Sequence, residues 1–190
     1  MRCAREAPRY PDRVIEGFPT QQTLPLLLYT DSYRVRGVLR TRRRRLSDVL
    51  NDPEASFLVV EDVVFEEFGS GALVHRASYA QVNLGAVLFA VSNEMVESAP
   101  ELRQPKVSRR ALVSLPPFTI VGHIHLQPEP DLRIALHVLR DRFLPVTGVT
   151  YWSDYLDEGR TEVPMVAFNH ARAQILAPYD EVPDEGEEPA

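Results

Sequence analysis

The residues with the clearest chemical potential in this sequence are arginines clustered around residue 40. They lie on a predicted strand and in the turn that follows it: Arg34, Arg36, Arg40, Arg42, Arg43, Arg44 and Arg45. Guanidinium groups at this density repel one another unless an anion neutralises them, and phosphates and carboxylates both match their N–H donors. We therefore predict that the cluster binds an anion or an acidic partner.

The chemistry leaves that partner open between an acidic protein surface, nucleic acid and an anionic small ligand such as a nucleotide. Nucleic acid is not favoured, because the run from Arg40 to Arg45 contains no aromatic residue on which an unpaired base could stack. Two explanations need no partner at all. The cluster could be a solvated strand end, or the chain's own acidic segment at residues 179–190 could cover it.

A histidine pair is the second candidate for chemistry. His123 and His125 are two positions apart on a predicted strand, so both rings project from the same face. That spacing can place two imidazoles on one metal ion, with a third ligand from another segment. A polar, solvent-facing strand surface explains the pair equally without metal. We predict no metal site and no cofactor, and keep a metal-assisted enzyme built on the two histidines as an alternative.

No motif in the sequence predicts catalysis. There is no glycine-rich phosphate loop, no nucleophile elbow and no paired-carboxylate motif. The single cysteine, Cys3, excludes an intrachain disulfide and a cysteine-based zinc site, and it favours a reducing, cytoplasmic location. The apolar runs are too short to cross a bilayer, so we expect no membrane insertion.

The sequence also contains an internal repeat. The matched residues include Phe57 with Phe143, Val60 with Val146, Val63 with Val149 and Asn83 with Asn169, each pair 86 residues apart (143 − 57). Upstream, Gly37 matches Gly122 at a shift of 85 (122 − 37), so the turn between has gained or lost one residue. A period this long indicates two copies of one small domain. We expect the shared asparagines to fix turns through side-chain to backbone hydrogen bonds.

Each copy reads as an alternating strand, a short helix, a second strand and two further strands. The mid-strand glycines Gly37 and Gly122 indicate a bend or a close backbone approach. Many short strands and few helices predict a mainly β fold of two tandem small β-barrel or β-roll domains, each with one short helix between its first and second strands. Domains this small are marginal alone, so we expect the copies to pack together or to oligomerise.

The predicted boundaries follow composition and periodicity. They are a flexible N-terminal arm at 1–24, a first β-domain at 25–91, a linker at 92–112, a second β-domain at 113–178 and an acidic disordered tail at 179–190. Charge is uneven along these segments: residues 1–50 hold 11 of the 21 basic residues but only 5 of the 27 acidic ones.

Four blocks of the first copy carry a resemblance to a known family: Gly37-Val38-Leu39, Arg45 to Asn51, Phe57 to Val63, and Val82-Asn83. Together they resemble a family of small bacterial β-domains that occur singly or in tandem and have no assigned activity. The order Gly37, Asp48, Asn51 is also loosely similar to the first motif of Sm-like small barrels, which is a likeness of topology. Neither resemblance implies site residues.

From these observations we expect a non-enzymatic, cytoplasmic protein that acts by binding a protein partner or further copies of itself. The alternatives are a nucleic-acid-binding regulator and a sensor of an anionic small ligand, both acting through the arginine cluster.

Overall fold

The computed structural model describes residues 22–42, 45–68, 74–92, 106–129, 132–156 and 158–179. These residues form ten strands: β1 (Gln22–Thr30), β2 (Tyr33–Thr41), β3 (Phe57–Glu67), β4 (Val74–Asn83), β5 (Val87–Ser92), β6 (Val107–Leu115), β7 (Phe118–Leu126), β8 (Phe143–Ser153), β9 (Glu158–Asn169) and β10 (Ile175–Pro178). Two short helices, α1 (Leu46–Leu50) and α2 (Leu132–His137), follow β2 and β7, and a 3-10 turn (His170–Arg172) precedes β10. The prediction of a mainly β protein is confirmed.

All ten strands belong to one antiparallel sheet that is not closed, in the order β10-β6-β7-β8-β9-β5-β1-β2-β3-β4. We call residues 22–92 the first half and residues 106–179 the second half. The strand order of the first half, β5-β1-β2-β3-β4, recurs in the second half as β10-β6-β7-β8-β9. The halves meet where β5 pairs with β9, so the expected division into two barrels does not follow from this continuous sheet.

The strand register repeats along with the order. β2 pairs with β3 and β7 pairs with β8, and each pairing has an irregularity at its mid-strand glycine, Gly37 or Gly122. A Cβ atom on Gly37 would lie 2.5 Å from Val60 Cγ1, and one on Gly122 would lie 2.6 Å from Val146 Cγ1. Only glycine allows the neighbouring strand to come this close. The close backbone approach predicted from the shared glycine is confirmed at equivalent positions in both halves.

Each half begins with a strand that the sequence analysis did not identify. β1 starts at Gln22, inside the predicted arm at 1–24, and residues 107–112 of the predicted linker at 92–112 belong to β6. Both segments carry residues that are depleted in strands, such as Pro25 and the charged start of β6, but each is paired on both sides and the sheet overrides local preference. The helices therefore lie between the second and third strands of each half, not between the first and second.

The core consists of two clusters that each draw residues from both halves. Phe143 and Ala167 of the second half are buried with the first half's cluster, and Tyr29 and Phe89 of the first half are buried with the second half's cluster. The halves thus share their hydrophobic interior. Among the residues described, no helix has the length and apolar character needed to cross a membrane. Most of the predicted arm and linker, and residues 180–190 of the tail, lie outside the described residues.

Candidate interaction surfaces

The joint between the halves is the best-defined recognition surface in the structure. Its backbone pairs are Phe89 with Phe168, Ala90 with Ala167, Val91 with Val166 and Ser92 with Met165. Side chains from both halves then add hydrogen bonds, ion pairs and ring contacts around this short ladder. The joint therefore shows which contacts one half of the sheet uses to bind the other half.

Asn51, directly after α1, binds the first residue of β8. Its side-chain amide donates to the Phe143 carbonyl at 2.9 Å, and its Oδ1 accepts from the Phe143 N–H at 2.7 Å. Arg142, the residue before, donates to the Ala55 carbonyl at 2.9 Å. The start of β8 is thereby fixed to the helical segment of the first half, and the Phe143 ring is fully buried. No local sequence pattern predicts this contact, because it joins residues 92 positions apart.

The two shared asparagines behave as turn-fixing residues, as predicted, but one of them also crosses the joint. Asn83 accepts from the Gly85 N–H and Asn169 accepts from the Ala171 N–H, the same local turn in each half. Asn169 is buried and additionally donates to the carbonyls of Leu84 and Val87. The turn between β4 and β5 of the first half is therefore held by the second half.

Arg34 is the arginine of the cluster that lies at the joint. It donates to Glu66 through Nε at 2.8 Å and Nη2 at 2.6 Å, and to Glu158 of the second half at 3.1 Å. Partial burial lowers the pKa of Arg34, but the Glu66 hydrogen bond and the two carboxylate charges outweigh it and the pKa is raised. The same hydrogen bond lowers the pKa of Glu66. The positive charge of Arg34 is thus compensated by two carboxylates of the same chain.

The other arginines of the cluster differ in their surroundings. Arg40 pairs with Glu61 at 2.7 Å, and Arg36 lies 3.8 Å from Glu66, so carboxylates of β3 compensate both. Arg42 is exposed and Arg45 is half-buried at the start of α1. Arg43 and Arg44 lie outside the described residues. Of the five arginines that the structure describes, Arg34, Arg36 and Arg40 therefore lie beside carboxylates, and Arg42 is exposed.

The histidine pair stays on the strand surface. His123 is exposed, while His125 is half-buried and its Nε2 lies 2.8 Å from the Thr147 hydroxyl. Burial, with the nearby positive charges of Lys106 and His123, lowers the pKa of His125. In the part of the chain that the structure describes, no group of three or more His, Cys, Asp or Glu side chains could hold a metal ion.

An open depression of about 480 Å³ lies between β8 and β9, lined by Gly148, Val149, Thr150, Glu162, Val163 and Pro164. Of these described lining residues, Glu162 alone has an ionisable side chain, and none of them forms a nucleophile–base pair. The depression therefore adds no catalytic constellation to the candidate surfaces.

The two edges of the sheet form the remaining surface. Among the strands that the structure describes, β4 and β10 are outermost, and each has a neighbour on one side only. β4 is exposed over nearly its whole length, and Tyr79 exposes 71% of its surface. On the face of β3 and β4 that carries Tyr79, Phe57 and Val59 are exposed as well. Within the described part of the chain, this end of the sheet combines backbone groups that no strand pairs with and exposed apolar side chains.

Comparisons with known proteins do not assign the chain to a family. Neither a protein-family model, nor a curated protein, nor a solved structure matches it.

Proposed function

We propose that this chain is a non-enzymatic, cytoplasmic interaction protein made of two copies of one small β-domain, and that it binds an extended protein segment along the open edge of β4. The observation that carries the proposal is that β4 is a long edge strand: among the described residues, no strand pairs with its open side, and the side chains of Phe57, Val59 and Tyr79 beside it are exposed. The free N–H and C=O groups of such an edge strand can form hydrogen bonds with an added strand.

The direction of the backbone groups supports strand addition. Leu84 donates to the Ser56 carbonyl, so the alternation of the strand turns the N–H groups of Val82 and Ala80 toward β3 and those of Gln81 and Tyr79 toward the open side. An incoming strand can form hydrogen bonds with both. The apolar patch beside them would provide the side-chain contacts that give such a complex its affinity and specificity.

We favour this function over the two that depend on the arginine cluster. Arg34 and Arg40 already have carboxylate partners at 2.6–2.8 Å, so an incoming phosphate would compete with Glu66 and Glu61 for them. Breaking such charge-assisted hydrogen bonds reduces the gain from binding a new anion. Binding a strand along the apolar edge of β4 does not require these ion pairs to break.

The proposal is tested by selecting extended peptides against the immobilised full-length chain and measuring their affinity by fluorescence anisotropy. Gln81→Pro removes one N–H from the open side and keeps the hydrogen bonds of β4 to β3, since proline is tolerated on an edge strand when its missing N–H faces solvent. Gln81→Ala is the matched control, because it shortens the same side chain and keeps the N–H.

We expect selected peptides to have alternating apolar residues, to bind the wild-type chain and Gln81→Ala alike, and to bind Gln81→Pro at least tenfold more weakly. Failure to select any peptide would contradict the proposal. So would selected peptides whose affinity is the same for the proline variant.

A further inference from the structure

We propose that the strand added to β4 comes from a second copy of this chain, namely its β10, so that successive chains associate head to tail. This inference rests on the proposed function of β4 and adds the identity of its partner. It follows from the repeated order of the sheet. Within the chain, β9 of the second half pairs with β5 of the first half.

The two open edges are the equivalents of the two strands in that joint. In the strand order of the two halves, β4 is equivalent to β9 and β10 is equivalent to β5. The chain therefore displays at one end the surface that β9 uses, and at the other end the surface that β5 uses. Pairing β4 of one chain with β10 of another repeats a contact that this sheet already makes.

The register of the new pairing can be stated residue by residue. The pairing of β5 with β1 and that of β10 with β6 have matching registers. The pair Ala90–Leu28 in the first half corresponds to the pair Leu176–Val113 in the second half. Transferring the β5–β9 register to the open edges gives Val82 opposite Ile175, Gln81 opposite Leu176, Ala80 opposite Ala177 and Tyr79 opposite Pro178.

Backbone direction agrees with this register. Tyr179 donates to the Arg110 carbonyl on β6, so residues 176 and 178 turn their backbone groups toward the open side, opposite Gln81 and Tyr79. Gln81 and Leu176 then exchange two hydrogen bonds, and the Tyr79 N–H donates to the Pro178 carbonyl. Pro178 has no N–H, so the new ladder has one hydrogen bond fewer than the internal joint. Proline also limits edge pairing in general, but here it leaves the Gln81–Leu176 pair intact.

Exposed apolar side chains mark the same two ends. Five of the nine large apolar side chains that the described residues expose lie on strands at these ends: Phe57, Val59, Val74 and Tyr79 on β3 and β4, and Ile175 on β10. Exposed apolar side chains at both open edges are what the two sides of a single interface would present.

The exposed Phe57 side chain is one surface that a neighbouring chain would cover in the proposed assembly. Its equivalent in the second half, Phe143, is 0% exposed because α1 and the residues after it pack over the start of β8, whereas Phe57 is 50% exposed. In the proposed assembly α2 of the next chain occupies the position of α1. His137 then takes the position that Asn51 has at the joint (137 − 51 = 86), beside the start of β3 of the neighbouring chain.

A contact between two different surfaces generates a closed ring or an open filament, because each added chain presents the same free edge again. The experiment uses the full-length chain and measures its mass in solution over a range of concentrations by light scattering. We expect the wild-type chain to form multiples of its 21.5 kDa monomer mass, and either Gln81→Pro or Leu176→Pro to abolish them. Ile175→Glu, which changes only an exposed side chain, should weaken the assembly without affecting folding.

Mixing is the decisive measurement. The Gln81→Pro variant keeps an intact β10 edge and the Leu176→Pro variant keeps an intact β4 edge, so an equimolar mixture should form a dimer of twice 21.5 kDa that neither variant forms alone. A misfolded variant could not give this result. A wild-type chain that stays monomeric, or a mixture that forms no dimer while the wild type assembles, would overturn the inference.

The two proposals fail separately. If the chain is monomeric and still binds selected peptides in a way that Gln81→Pro abolishes, β4 is a binding edge and only its partner has been misidentified. If the chain is monomeric and hydrogen exchange shows the Tyr79 and Gln81 amides protected without any partner, the chain itself covers β4 and both proposals fail.

Discussion

The hydroxyl groups of Tyr29 and Tyr151 lie 3.0 Å apart and share a hydrogen bond across the joint, although the two residues are 122 positions apart in the chain. Both side chains are 2% exposed. Their rings meet edge to face at 5.5 Å, and the Phe89 ring contacts both. Burial and the hydrogen bond to Tyr29 raise the pKa of Tyr151, so the Tyr151 hydroxyl keeps its proton at neutral pH. This contact ties β1 of the first half to β8 of the second inside the core.

Removing both hydroxyls of this pair should cost less than the sum of removing each one alone. Tyr151→Phe removes the buried hydrogen bond between the two hydroxyls, and we expect the free energy of unfolding to fall by about 1–2 kcal/mol. Tyr29→Phe with Tyr151→Phe should cost less than the sum of the single changes, because neither hydroxyl then remains. Urea denaturation of the four proteins measures the coupling, and strictly additive effects would contradict a shared hydrogen bond.

The two shared asparagines provide a matched pair of substitutions. Asn169→Ala removes the donor to the Leu84 and Val87 carbonyls inside the joint, and we expect a loss of about 1–3 kcal/mol. Asn83→Ala removes only an exposed turn hydrogen bond to Gly85 and should cost about 1 kcal/mol or less. Thermal unfolding of both variants tests this order, and equal losses would show that Asn169 acts only within its own turn.

The sequence allowed the repeat, the mainly β class and the close approach at Gly37 and Gly122 to be predicted, because each leaves a local or periodic signal. It did not allow the leading strands β1 and β6 to be predicted, since their pairing partners, not their own composition, make them strands. The arginine cluster was visible as charge density, but the carboxylates that compensate Arg34 come from β3 and β9, more than 30 residues away. Contacts of this kind depend on the tertiary fold and have no counterpart in spacing.

The mid-strand glycines should tolerate no side chain. In Gly37→Ala the new Cβ would lie 2.5 Å from Val60 Cγ1 and 2.7 Å from the Glu61 carbonyl oxygen, and backbone on the neighbouring strand cannot move away cheaply. We expect a loss of about 1–3 kcal/mol or more, and a similar loss for Gly122→Ala. Gly159→Ala is the control, because no atom lies within 4 Å of its added Cβ. A stable Gly37→Ala protein would disprove the close approach.

The hydrogen bond between Arg34 and Glu66 should make stability depend on acid pH. Arg34 lowers the pKa of Glu66 below its ordinary value of 4.5 in the folded state. The unfolded chain therefore binds more protons between the two pKa values. The stabilisation from this pair is complete above about pH 4.5 and is lost as the pH falls through the lowered pKa of the folded state.

Arg34→Gln tests this dependence. Both partners are partly exposed, so we expect it to lower the free energy of unfolding by about 1 kcal/mol at neutral pH. The difference from wild type should shrink as the pH falls through the lowered pKa of Glu66, because Glu66 then becomes protonated in both proteins. Melting temperatures between pH 3 and 7 measure it. Glu158→Gln is the control: it removes the contact with the second half and keeps the Glu66 hydrogen bond, so most of the pH dependence should persist. A pH-independent difference for Arg34→Gln would show that the arginine stabilises by packing alone.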